Sequence, residues 1–357
     1  MRLRSAIFLL SLMACAASPE GTASDSIATT GTTDAGEAST PTSGSSGAAS
    51  TGDTSTGAAM DGLRLNHLQA MGTHNSYHVS SGHGVKELDY THRPLPDQLA
   101  SGARQFELDI HFAGPGEPIA VYHLEVLDQG TTCPLLTDCL QALRGWSDAN
   151  PGHQLLYVML EFKSVYDVKL VDELMATLEA QILAVWPRER IVAPDDVQRG
   201  AASLREGVEA AGWPTIDASR GKILLVLHDP DKWRDHYVAG GTAGRLLFPD
   251  AFADITAPFA AVHTLNDPTA DAAAIAAALD AGHLVRTRAD SDNVEPFAGD
   301  DSRAIAALAS GATFISTDYP PPKGDLDYVF AIPDGDPSRC NPRTAPPDCT
   351  PEQIEDL

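Results

Sequence analysis

Residues 155–163 read LLYVMLEFK. The run from Leu155 to Leu160 has no polar face, so a strand here must be covered on both sides. That suits a parallel strand packed between helices, since half-exposed strands alternate polar and apolar residues. The run then ends in a carboxylate, Glu161, and an ammonium, Lys163. A second stretch, KILLVLHD at 222–229, has the same make-up and the same polar end.

Working outward, six more strand-like runs appear: HLQAMGTH (67–74), ARQFELDIHF (103–112), IAVYH (119–123), AAVHT (260–264), HLVRTRA (283–289) and TFISTD (313–318). Helix-like stretches fall at 95–102, 135–149, 167–186, 268–281 and 302–310. About eight strands over roughly 270 residues match a single α/β barrel. An open doubly wound sheet is the alternative. No internal repeat is visible.

The flanks differ in kind. Residues 1–14, MRLRSAIFLLSLMA, carry two arginines and a short apolar run, the pattern of a secretory signal. The sequence Leu12-Met13-Ala14-Cys15 resembles a bacterial lipobox, which implies a lipidated Cys15 and an exported, envelope-anchored lipoprotein; an ordinary cleaved signal is the alternative. Residues 15–60 are rich in Ser, Thr, Gly and Ala and cannot bury enough apolar surface to fold. As a coil they form a tether with an end-to-end distance of about 35–40 Å. The expected layout is a signal at 1–14, an anchor and tether at 15–60, a barrel at 61–335 and a stapled tail at 336–357.

The chain has 357 residues and a formal net charge of -25. Such a surface repels nucleic-acid phosphates, so no nucleic-acid partner is expected. An anionic substrate needs a metal or local arginines. Five cysteines leave four once Cys15 is set aside, in two close pairs, Cys133 with Cys139 and Cys340 with Cys349. Near-neighbour disulfides are the simplest pairing in an oxidising compartment; the other two connectivities stay open.

In an α/β barrel the working face lies at the C-terminal ends of the strands. Thr73-His74-Asn75-Ser76-Tyr77 ends the first run. Glu107, Asp109 and His111 lie late in the second, and His123 ends the third. Arg286, Arg288 and Asp290 lie late in the seventh, and Asp318 ends the eighth. Glu107 and Asp109 are two apart and share a face, opposite Phe106, Leu108 and Ile110. Two inward carboxylates repel unless a cation or a proton is shared between them. Glu161 and the amide oxygen of Asn75 can add to the set, giving four oxygens for a hard cation such as Ca2+ or Mg2+.

The ordered motifs THNSY (73–77), FELDIH (106–111), VYH (121–123) and MLEFK (159–163) resemble the catalytic domain of phosphatidylinositol-specific phospholipases C, and most of all the Ca2+-dependent bacterial branch. The resemblance spans most of 62–330, including SGATFISTDYPPP at 310–322. It implies a distorted TIM (β/α)8 barrel of the PLC-like phosphodiesterase type. It also implies catalytic roles for His74 and His123, Ca2+ ligation by Asn75, Glu107, Asp109 and Glu161, and a phosphoinositide or related phosphodiester as substrate. Lys163, Arg286 and Arg288 are candidates for binding that substrate. The implied reaction is attack of the inositol 2-hydroxyl on the adjacent phosphorus, giving diacylglycerol and a cyclic inositol phosphate. His123 is the expected acid for the leaving oxygen. His74 donates to the phosphoryl oxygen or takes part in the base step, and a ligand carboxylate is an alternative base.

Other groups receive structural or unassigned readings. His78, His83, His111 and His228 read as structural or loop histidines, and Asp290 and Asp318 have no assigned role. The chain is expected to act as a monomer near a membrane surface. A glycerophosphodiester phosphodiesterase-like hydrolase and a non-catalytic lipid- or glycan-binding lipoprotein are the competing functions.

Overall fold

Parity along the strands organises this molecule. The computed structural model describes residues 62–82, 84–335 and 337–355. The expected signal, Cys15, the tether and His83 lie outside the described residues.

Among the described residues eleven strands are present: β1 (Leu68–Thr73), β2 (Ala103–His111), β3 (Ala120–Val121), β4 (Leu156–Phe162), β5 (Ile191–Val192), β6 (Ile223–His228), β7 (Leu247–Pro249), β8 (Val262–Thr264), β9 (Leu284–Arg288), β10 (Phe314–Thr317) and β11 (Arg339–Cys340). Parallel ladders join β7, β6, β4, β2, β1, β10, β9 and β8 in that order. The two ends, β7 and β8, meet through one parallel bridge between Asp250 and Val262. The ring is thus an eight-stranded barrel with a thin seam, which is the distortion.

The expected count of eight holds, but one member changes. IAVYH supplies only β3, two residues antiparallel to the end of β2. The barrel strand that takes its place is β7, whose three residues Leu247–Pro249 are too short to show periodicity. Helices cover the outside at Leu95–Ala100, Leu136–Ala149, Val171–Val185, Ala272–Asp280 and Ser302–Ser310, as the apolar spacing predicts. Short helices at Pro194–Gln198, Leu204–Ala211 and Lys232–Val238 were not legible.

One parity of each strand faces the helices. Phe106, Leu108 and Ile110 of β2 pack with Val158 and Leu160 of β4 and Leu225 and Leu227 of β6, against Leu140, Leu143, Leu178 and Ile182 of the helices. The other parity faces the barrel axis. Low in the barrel it is apolar: Leu68, Ala70, Tyr157, Met159, Leu224, Val226, Phe248, Val262, Leu284 and Phe314 form one buried cluster. Two residues further along the same strands it turns polar. Gly72 marks the change on β1, where any side chain would collide with that of Gln105, its register partner on the adjacent strand β2.

The tail is more than a stapled extension. Strand β11 pairs with the start of β1, disulfides join Cys340 to Cys349 and Cys133 to Cys139, and Ile354 is fully buried in the lower apolar cluster. Glu355 pairs with the buried Arg104 at 2.8 Å. The C-terminal segment therefore closes the bottom of the barrel. Near-neighbour pairing is the connectivity adopted.

Candidate active site

The ladders set one polar row at the top of the barrel. Asp109 is in register with Glu161, and Glu161 is in register with His228, across the adjacent strands β2, β4 and β6. Glu107 lies one inward step below Asp109. Ligating atoms of Glu107, Glu161 and His228 fall within 4.8 Å of one another. His228 is the residue that sequence reasoning set aside. Its signal was present: KILLVLHD places His228 where LLYVMLEFK places Glu161.

His228 Nδ1 lies 2.7 Å from Asp250 Oδ2, so the ring orientation is fixed from behind, as for histidines that ligate metals. Burial opposes the charged imidazole, but the bond to Asp250 and its charge outweigh burial, and the net shift is upward.

Cations balance the carboxylates. Arg286 donates to Glu107 Oε2 at 2.5 Å and also pairs with Asn266. Lys163 donates to Glu161 Oε1 at 2.5 Å and approaches Asp109 Oδ2 to 3.1 Å. Burial pushes Asp109 well above the usual carboxylate range, helped by the charge of Glu161. Burial also raises Glu107 and Glu161, but Arg286 and Lys163 respectively pull them back, and both end below their ordinary values.

The donors fit a hard cation. Asn75 Oδ1 and both Asp109 oxygens are buried without an aligned hydrogen-bond partner, and such orphan acceptors are costly unless something binds them. Asn75 has φ +41°, a left-handed conformation that asparagine tolerates better than most residues. Its Nδ2 donates to Tyr90 Oη at 3.3 Å, which leaves the amide oxygen free. Three carboxylates and an amide oxygen match Ca2+ preferences by chemistry; among the described residues, Glu107 and Glu161 cluster within 4.8 Å with His228, and Asp109 is not part of that cluster.

The two catalytic candidates sit in different settings. His74 Nδ1 lies 2.9 Å from Asp318 Oδ1, and Arg288 is 3.4 Å from His74 Nε2. Arg288 also donates to Asp318 Oδ2 at 2.9 Å. Burial and then Arg288 hold His74 well below its usual pKa. Asp290, without an assigned role in the sequence, is buried behind this group. It accepts from the Asp318 backbone N–H at 2.9 Å and from Thr317 and Tyr328. Burial and the charge of Asp318 push Asp290 up to about 7. His123 is part-exposed to the same degree as His74, and its Nδ1 lies 3.0 Å from Asp128 Oδ2. Burial and Lys163 lower it. Asp128 and Asp318 were not predictable as partners, because one lies in an aperiodic loop and the other meets His74 only through the barrel.

Residues 63–117 and 113–342 match the protein family described as "Phosphoinositide phospholipase C, Ca2+-dependent". The chain belongs to this family. Its members are phosphodiesterases that depend on Ca2+. Solved structures similar to this phospholipase C homologue include the calcium-dependent phosphoinositol-specific phospholipase C of a Gram-negative Pseudomonas species. That match has 17% identity and a TM-score of 0.57, covering 78% of this chain and 95% of that one. The Ca2+-dependent phosphatidylinositol-specific phospholipase C of Streptomyces antibioticus is also similar, at 22% identity and a TM-score of 0.54, covering 72% of this chain and 95% of that one. At these identities the likeness shows the shared barrel. No curated protein sequence matches the chain.

Proposed function

We propose that this phospholipase C homologue cleaves membrane-borne phosphatidylinositol-type phosphodiesters by attack of the inositol 2-hydroxyl, releasing diacylglycerol and a cyclic inositol phosphate. The observation that carries this reading is the setting of His123. The residues beside it, Leu124, Val126 and Leu127, are exposed apolar side chains. Val85, Val165, Val168, Leu170, Val294 and Phe297 join them on connections leaving β1, β4 and β9, with Val126 86% and Val165 91% exposed. Nine of the twelve strongly exposed large apolar residues among the described residues thus ring the mouth. An apolar rim of this kind fits a lipid surface.

This rim gives the site a direction. The lipid side of a substrate meets His123, and the polar head group enters toward His74, Arg286 and Arg288. His123, held by Asp128, delivers a proton to the leaving glycerol oxygen. His74, backed by Asp318, takes the proton from the 2-hydroxyl. Arg288 and Lys163 offer charge to the phosphodiester. Asn75, Glu107, Asp109 and Glu161 would hold Ca2+, with His228 close to Glu107 and Glu161. Bound Ca2+ lowers the pKa of the attacking hydroxyl and offsets charge on the phosphoryl oxygens.

Phosphorus NMR of the products from phosphatidylinositol vesicles, with and without a chelator, tests the reading. A cyclic inositol phosphate that forms only with Ca2+ is expected. Glycerol 3-phosphate, or turnover indifferent to chelation, refutes it. The lipobox-like Cys15 supports anchoring of the enzyme at a membrane. Labelling with radioactive palmitate that survives in Cys15→Ser refutes that anchor.

A further inference from the structure

His78 lies in the same THNSYH segment as His74 and Asn75, yet its side chain is fully buried and touches neither of them through a hydrogen bond. Its Nε2 is 2.8 Å from Asp128 Oδ2, the same oxygen that His123 Nδ1 approaches to 3.0 Å. The other carboxylate oxygen, Oδ1, accepts the Ser81 hydroxyl at 2.8 Å. One carboxylate, itself only 1% exposed, therefore serves two histidines and a serine.

The nitrogen His78 does not use is informative. His78 Nδ1 is buried and has no partner among the described residues. A proton there would be a buried donor with nothing to bond, which costs about 1–3 kcal/mol. The ring is therefore set as the Nε2–H tautomer, a donor to Asp128. With His78 and Ser81 fixing the carboxylate, its remaining role is to accept Nδ1–H from His123. That leaves His123 Nε2 as the nitrogen directed away from Asp128, in the part-exposed ring at the mouth. His78 is itself clamped by Tyr90, ring centroid to ring centroid 4.4 Å, and Tyr90 Oη accepts from Asn75.

We propose that His78 is a positioning residue that, through Asp128, fixes the tautomer and ring orientation of His123 for proton delivery to the leaving oxygen. The inference rests on the acid role given to His123. A core histidine that merely fills space would do neither.

The test compares leaving groups. Cleavage of phosphatidylinositol expels the diacylglycerol alkoxide and needs the acid; cleavage of a 4-nitrophenyl ester of inositol phosphate expels a stable phenolate and does not. His78→Phe keeps a ring but removes the donor. It is expected to lower kcat on the lipid by about 10- to 100-fold, part of the roughly 100- to 10,000-fold that general acids supply. On the aryl ester the loss is expected to stay under about threefold. His78→Gln, whose amide donates from a similar position, restores the lipid rate. Equal losses on both esters, or no loss on the lipid, overturn the proposal. If His78→Phe does not fold, Asp128→Asn decides, with the same expected split. His123→Ala separates the two levels. Full lipid turnover in that variant overturns the acid role and this inference together, whereas a large loss there with none in His78→Phe overturns this inference alone.

Discussion

The lower and upper halves of the barrel interior are built from the same strands, the same parity and nearly the same backbone, yet they behave as different solvents. Below, Tyr157, Met159, Leu224, Val226 and Phe248 form a dry plug. Above, Glu161, His228 and Asp250 continue those very strands or leave their ends. The plug stabilises by area removed from water, roughly 1.5–3 kcal/mol for each large side chain. The upper half gains little or loses, because desolvating charges offsets their mutual attraction. Lys163 and Arg286 contain that cost by pairing with the carboxylates. The lesson is that one barrel separates stability from chemistry by height along the strand.

The largest test of this division is at the top. His74→Ala and His123→Ala should each lower lipid turnover by about a thousandfold, within the range of general acid–base effects, while the melting temperature moves by only a few degrees. A collapse of the fold in either variant would break the separation. The complement lies below: Leu224→Ala should cost about 3 kcal/mol of unfolding free energy in urea, and the folded fraction should keep its kcat. Loss of activity per folded molecule would show that the plug also shapes the site.

Acid probes a third setting, away from both halves. His283 is buried, hydrogen-bonded to His263 at 2.8 Å, and held down to about 3 by burial and then by the neighbouring imidazole. Its folded pKa lies below the unfolded value, so the unfolded chain takes up the proton first as pH falls. Stability is therefore complete above about pH 6.5 and declines toward the folded pKa. Between pH 7 and pH 5 this residue alone should remove about 2 kcal/mol. Urea titrations of the parent and His283→Gln check it; an equally steep decline in the variant refutes the assignment. The smallest effect is expected at the rim. Val126→Asp with Val165→Asp should weaken vesicle binding by about tenfold, roughly 1.4 kcal/mol, and leave turnover of a soluble inositol ester unchanged.

Much of this was legible from residues alone. The long apolar runs around Val158 and Leu225 demanded parallel strands under helices, and Glu107, Asp109 and Glu161 announced themselves as carboxylates where apolar residues should continue. Strand β7 was not legible, since three residues carry no period. His228 was hidden because one histidine at a strand end is ordinary until its neighbours are known. Asp318 was hidden for the same reason, whereas Asp128 lies in an aperiodic loop and Asp250 follows the illegible β7.

By itself the sequence determined which faces are apolar, where polarity begins on each strand and which family motifs occur in order, because these depend on local period and residue chemistry. Only the tertiary structure decided which charges meet: Arg286 with Glu107, 179 residues apart, and His74 with Asp318, 244 apart. Closing a ring of strands brings distant segments to one rim, and no local spacing encodes which side chains then face each other.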